Sequence, residues 1–163
     1  MSDEINKELE RIHQLQSKLV FKEFNSETAW QIGNMIYERA KVEQRVITIS
    51  IVLNGHKLFY YSFEGTDPNN DQWIIRKENT VNHFYKSSYE MALLMKIKKD
   101  NFVNRYGLHA DCYAAAGGSV PIIIRNTGIV GTITVSGGTQ EEDHYLITDI
   151  IGVYLKTKST IDK

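Results

Sequence analysis

At 163 residues the chain has the length of one domain with one core, and 42% hydrophobic against 24% charged residues excludes the composition that keeps chains unfolded. Nineteen Lys and Arg against twenty Asp and Glu leave a formal charge of −1, so no general field draws it to nucleic acid or to an anionic membrane. The single cysteine, Cys112, excludes an intramolecular disulfide and suits a reducing compartment. With no signal-like run in Met1–Glu10 and no stretch near the ~20 apolar residues of a bilayer span, the expectation is a cytoplasmic protein.

Ile5, Leu9, Ile12, Leu15 and Leu19 recur at helical spacing and form one apolar stripe on a charged N-terminal helix. That helix, taken as 1–22, is expected to lie outside the core and contact a neighbouring subunit. A second helix starts near Asn25 or Ser26, both able to cap, and runs through Trp30, Ile36 and Tyr37 to about Val42. The β-branched run from Arg45 to Leu53, then Asn54-Gly55 and the aromatic run Leu58 to Phe63, read as a hairpin, because Asn-Gly accepts a type I′ turn.

Gly65 to Asn70 is turn-rich, Asp71 to Tyr85 and Ser88 to Lys98 have helical spacing, and Asn101 to Asp111 is irregular. A short strand is expected at Cys112 to Ala115, before a turn at Gly117-Gly118. A second hairpin spans Val120 to Ser136 around Asn126-Thr127-Gly128. The last helix opens on a capping box, Thr139 with Glu142, and buries Leu146, Ile147, Ile150, Ile151 and Tyr154. The order ααββααββα, with hairpins rather than βαβ units, predicts an α+β domain over 1–163 with a mainly antiparallel sheet and helices packed on it.

The densest chemical segment is Gln140-Glu141-Glu142-Asp143-His144. Glu141 and His144 stand at i and i+3, a spacing used by some metal sites, but a second ligand pair would be needed. Carboxylates in a first helical turn are also stabilised by the dipole alone. A cationic His144 is disfavoured there, so it must be neutral or paired. His109-Ala110-Asp111-Cys112 matches no zinc spacing, and Cys112 reads as a small buried residue. Lys96 to Lys99 reads as a solvated helix end. Trp73 and Lys77 share a helix face, and Arg76 or Lys77 is expected to meet the carboxylates Glu141 to Asp143, or an anionic ligand, across the sheet.

Asn70-Asp71-x-Trp73-Ile74-x-Arg76-Lys77 with Thr80, Ser87-Ser88, Gly117-Gly118, and Ser136-Gly137-x-x-Gln140-Glu141-Glu142-Asp143-His144 follow in this order along the chain. Together they resemble a small branch of the HbpS/GlcG-like superfamily, often called the haem-degrading domain. The resemblance implies a profilin-like fold with an antiparallel sheet of about five strands flanked by helices, and dimers that assemble into larger rings. It implies less about activity. One branch binds and breaks down haem, another accompanies glycolate or diol metabolism, and a fungal relative interacts with protein-targeting factors. Where such proteins commonly carry a His before the Gly-Gly pair, this chain has Ala116.

The leading expectation is an oligomeric binding protein whose polar pocket or subunit interface combines Trp73, Arg76, Lys77, Gly117, Gly118, Glu141, Glu142, Asp143 and His144. Its ligand would be a small molecule that the residues do not identify, and catalytic activity is left open. The rivals are a haem-binding or haem-degrading protein, and a metal-dependent enzyme using Glu141, Glu142 and His144.

Overall fold

The computed structural model describes residues 1–161 and has the element order α1 (Ser2–Gln16), β1 (Val20–Phe21), α2 (Ser26–Val42), β2 (Thr48–Leu53), β3 (His56–Ser62), α3 (Pro68–Phe84), α4 (Ser88–Lys98), α5 (Phe102–Tyr106), β4 (Ser119–Ile124), β5 (Gly128–Ser136) and α6 (Gln140–Ile161). The five strands form one sheet in the order β1-β4-β5-β2-β3. Both expected hairpins are present, and β2 and β5 pair antiparallel in the middle. Only the two-residue β1, parallel to β4, departs from antiparallel pairing.

Strand alternation gives the sheet two chemically different faces. Ile49, Ile51, Val120, Ile122, Ile133 and Val135 point to one side and join the buried faces of α2 (Ile32, Ile36) and α6 (Ile147, Ile150, Ile151) in the main core. Thr48, Ser50, Ser119, Thr132, Thr134 and Ser136 alternate with them, and all are buried. α3 packs over β2, β4 and β5, with α4 beside it, so the hydroxyl-lined face receives these two helices. The hydroxyls pair across the strands: Ser119 Oγ lies 2.8 Å from Thr134 Oγ1, and Thr48 Oγ1 lies 3.2 Å from Ser62 Oγ.

Four sequence expectations need correction. The N-terminal helix stops at Gln16, short of residue 22, because Leu19 turns into the main core and Val20–Phe21 pair with Ile123 and Ile124 of β4. The Cys112–Ala115 strand does not form. Ala114 is instead tied to α3, its N–H donating to Thr80 Oγ1 (3.2 Å) and its carbonyl accepting from the same hydroxyl (2.9 Å). Cys112 is exposed in the preceding turn rather than buried. Residues 102–106, within the irregular segment, form α5, and Phe102 enters a small apolar cluster with Met91 and Met95.

The third helix begins earlier than its apolar spacing suggests, at Pro68, where Asp67 caps and proline supplies a first-turn residue without a wasted donor. The stripe of α1 packs through Leu9 and Ile12 on Tyr89 and Leu93 of α4 in the same chain.

Ile133 is fully buried in central strand β5. Ile133→Ala should lower unfolding free energy in urea by about 2–5 kcal/mol, whereas Ile75→Ala, on the exposed side of α3, should change it by no more than about 0.5 kcal/mol.

Candidate functional site

The first turn of α6 is built by reciprocal capping, as expected. The Thr139 N–H donates to Glu142 Oε2 (2.9 Å) and the Glu142 N–H donates to Thr139 Oγ1 (3.2 Å). One residue on, Asp143 points inward and is almost fully buried. Its Oδ1 accepts from Arg45 Nη2 at 2.7 Å and from the Gly138 N–H at 3.0 Å, and its Oδ2 from Lys77 Nζ at 3.2 Å. Arg45 also donates to the Glu142 carbonyl (3.3 Å), and Lys77 to the Val135 carbonyl (3.0 Å). One carboxylate therefore ties α6 to α3 and to the approach of β2.

Burial pushes the Asp143 carboxyl above its ordinary value, opposed by Lys77, Arg45 and the Gly138 N–H. It pushes the Lys77 ammonium below its own, opposed by Asp143. With two cations and an amide on one carboxylate, the charged form of Asp143 is the one the geometry satisfies.

Gly117-Gly118, expected as a turn, permit a close approach at this point. Gly118 has φ +129°, and a Cβ there would lie 2.5 Å from Lys77 Nζ and 2.5 Å from the Val135 carbonyl oxygen. A Cβ at Gly117 would collide with the carbonyl of Gln140. The Gly117 N–H donates to Gln140 Oε1 at 3.3 Å. Between the start of α3 and the start of α6 the chain leaves a pocket of about 350 Å³, lined by Asn69, Asn70, Trp73, Lys77, Gly117 and Asp143 among others.

Of the residues expected to converge, Trp73, Lys77, Gly117, Gly118 and Asp143 do so. Arg76 does not meet the α6 carboxylates. Its guanidinium lies over the Trp73 ring, 4.5 Å from the centroid, and lines a second pocket of about 410 Å³ on the other side of Trp73 and Ala116. Glu142 is occupied by the cap, and Glu141 is exposed. His144 turns away to the α1–α4 side, fully buried against Tyr89 (5.0 Å between ring centroids) and Tyr145 (5.1 Å).

Neither ring nitrogen of His144 has a hydrogen-bond partner. Burial, with a smaller contribution from Arg11, pulls its pKa down to about 4, so the imidazole is neutral, one of the two states expected. Among the described residues no group of three or more His, Cys, Asp or Glu is placed to hold a metal ion, so Glu141 and His144 do not acquire the ligands they lacked in sequence.

Sequence reasoning missed several partners. Arg45 read as the start of a strand, and nothing in the order of residues marked its reach to Asp143. Asn69 and Gln140 line the pocket because the helices begin there. Glu78, one residue after Lys77, accepts from Ser50 Oγ at 2.7 Å, and its carboxyl is raised chiefly by burial. The signal that could have found it is the Thr-Ile-Ser-Ile alternation of β2, which places a hydroxyl under α3.

An α/β fold whose five-stranded sheet carries a polar pocket where α3 and α6 begin is the frame in which the site sits. The model of the haem degrading protein HbpS-like family matches residues 24–151, and the chain belongs to that family. It is 38% identical over 151 residues to a UPF0303 protein of Serratia proteamaculans (strain 568), covering 93% of this chain and 94% of that one. Its fold is similar to the crystal structure of Ybr137w protein, with TM-score 0.83 and 28% identity over 91% of this chain and 88% of that chain. It is also similar to the crystal structure of the PduOC:Heme complex, with TM-score 0.68 and 17% identity over 79% and 93%, a likeness of fold alone. Among the described residues no helix is long and apolar enough to cross a membrane.

The unfolded His144 takes up a proton below its ordinary pKa of 6.5, the folded one only below about 4. In that window the unfolded chain binds more protons, so this group's contribution is complete above pH 6.5 and disappears as pH falls to 4. Urea titrations should show stability falling by ~3 kcal/mol from this source, and His144→Leu should remove that share of the slope.

Proposed function

We propose that the chain is an oligomeric binding protein whose small-molecule ligand sits between α3 and α6 and presents an acceptor or anionic group to Lys77. The observation that carries this is the state of the ammonium. Lys77 is only 4% exposed, two of its three donors go to Val135 and Asp143, and it still lines the pocket, so one N–H is left for a ligand. Arg45 faces the Glu142 carboxylate as well as Asp143, which leaves the remaining N–H of Lys77 as the group offered to a ligand, in a setting with little water to screen it. Trp73 supplies a flat wall. Oligomerisation is supported by edge strand β3 and its neighbour α2, where Tyr60, Tyr61 and Trp30 are exposed.

A second reading is a haem-related function, favoured by the family and by the second pocket. Its lining is largely apolar, with Phe102, Val103 and a run of alanines, and it contains Tyr113, Met95 and Arg76. No histidine lines either of these two pockets, so a His-ligated haem does not fit them. The phenol of Tyr113 or the thioether of Met95 would be the iron ligand, and Arg76 would face a propionate. Bound haem would supply oxygen chemistry; these side chains would hold and orient it.

Thermal-shift titrations with benzoate, a carboxylate on a flat ring, separate the two readings from each other. Benzoate should raise the Tm saturably in the wild type and not in Asn69→Asp, which sets a negative charge on the pocket wall without touching the Asp143 ion pairs. No shift at millimolar benzoate would remove the first reading in this form. Haem added to the wild type, with a saturable Soret change lost in Tyr113→Phe or Met95→Leu, would establish the second; no saturable change would remove it.

A further inference from the structure

At the far end of α6 the chain forms a third concavity, of about 390 Å³, that neither reading uses. Lys18 comes to it from the turn after α1, Lys22 from the residue after β1, Arg125 from the residue after β4 and Lys158 from α6. Among the described residues the one carboxylate on its wall is Glu23, so there four cations against one anion leave a formal local charge of +3 in a chain whose total is −1. Among the described residues none of these four cations forms a salt bridge, although acidic side chains outnumber basic ones in the chain.

A cation near a helix C-terminus is favoured by the dipole, which accounts for Lys158. It does not account for Lys18, Lys22 and Arg125, which come from three other segments. Gathering like charges around one hollow is unfavourable unless water or an anion screens them. The floor is solid: Phe21 and Tyr154 are buried beneath it, in contact at 6.1 Å between ring centroids, and the Arg125 N–H is fixed to the Phe21 carbonyl at 2.9 Å. The volume is that of a small-molecule site.

We propose that this hollow is a second binding site, for a small organic phosphate whose oxygens meet Lys22, Arg125 and Lys158 while its carbon skeleton lies along Val20 and Leu155. Asp143 and Lys158 are fifteen residues apart on one helix, roughly 22 Å along its axis, so the two sites are independent and can be tested apart. Arginine and lysine together suit phosphate, the one as a fork and the other as a point charge.

Isothermal titration of the full chain with pyrophosphate at low salt should show saturable binding that weakens as salt is raised. Lys22→Glu and Arg125→Glu, both at exposed positions and so expected to fold, should each weaken it by about tenfold or more; the same charge reversal at exposed Lys7 of α1, Lys7→Glu, should leave it unchanged. No saturation, an undiminished affinity in both Lys22→Glu and Arg125→Glu, or an equal loss in Lys7→Glu would each overturn the proposal. Co-sedimentation with phosphatidylglycerol vesicles that pyrophosphate fails to compete away would also overturn it, by assigning the charge to a lipid surface.

Discussion

The fold turns on one buried carboxylate. Asp143 occupies the first turn of α6, yet its bonds reach Lys77 in the middle of α3, Arg45 before β2 and the Gly138 amide. Three segments far apart in sequence are thereby held at one corner of the sheet. Such a contact is unforgiving, because a buried charge left without its partner costs several kcal/mol, while the intact pair contributes much less in net terms. Its value is positional: it fixes where α3 and α6 begin relative to one another, and the pocket is the space between those beginnings.

The two-faced sheet gives the pin its setting. On the apolar face, isoleucines and valines pack against α2 and α6 and supply the ordinary driving force. On the other face buried hydroxyls meet α3, which brings Lys77, Glu78 and Thr80 rather than a continuous apolar stripe. Buried polar groups are tolerated only when bonded, and most here are. The exceptions among the described residues are Gln16 Nε2, Arg76 Nε and His144, whose neutral ring lies in an aromatic enclosure under α1 with no partner for either nitrogen.

Much of the architecture was legible from local chemistry. Asn54-Gly55 marked the first hairpin, the Asn25 cap and the Thr139–Glu142 box marked two helix starts, and alternation marked the central strands. What was not legible depended on distant partners. Val20–Phe21 are a strand only because β4 lies beside them, and Cys112–Ala115 are not one because α3 takes their hydrogen bonds. The candidate site was legible in the same proportion. Pairing a cation of α3 with a carboxylate of α6 followed from residue type, but Glu141, Glu142 and His144 lie on other faces or serve the cap. Arg45 and Asn69 were reachable only through the fold. Ala116, at the position where the sequence resemblance led one to expect a His, falls on the wall shared by the two neighbouring pockets.

The pin is tested most directly by a double-mutant cycle in urea on Lys77→Met and Asp143→Asn. Each single change should cost about 3–5 kcal/mol, and the pair should cost clearly less than the sum because no charge is then left without its partner. Losses that add to within about 0.5 kcal/mol would contradict it, since two residues that do not interact behave that way.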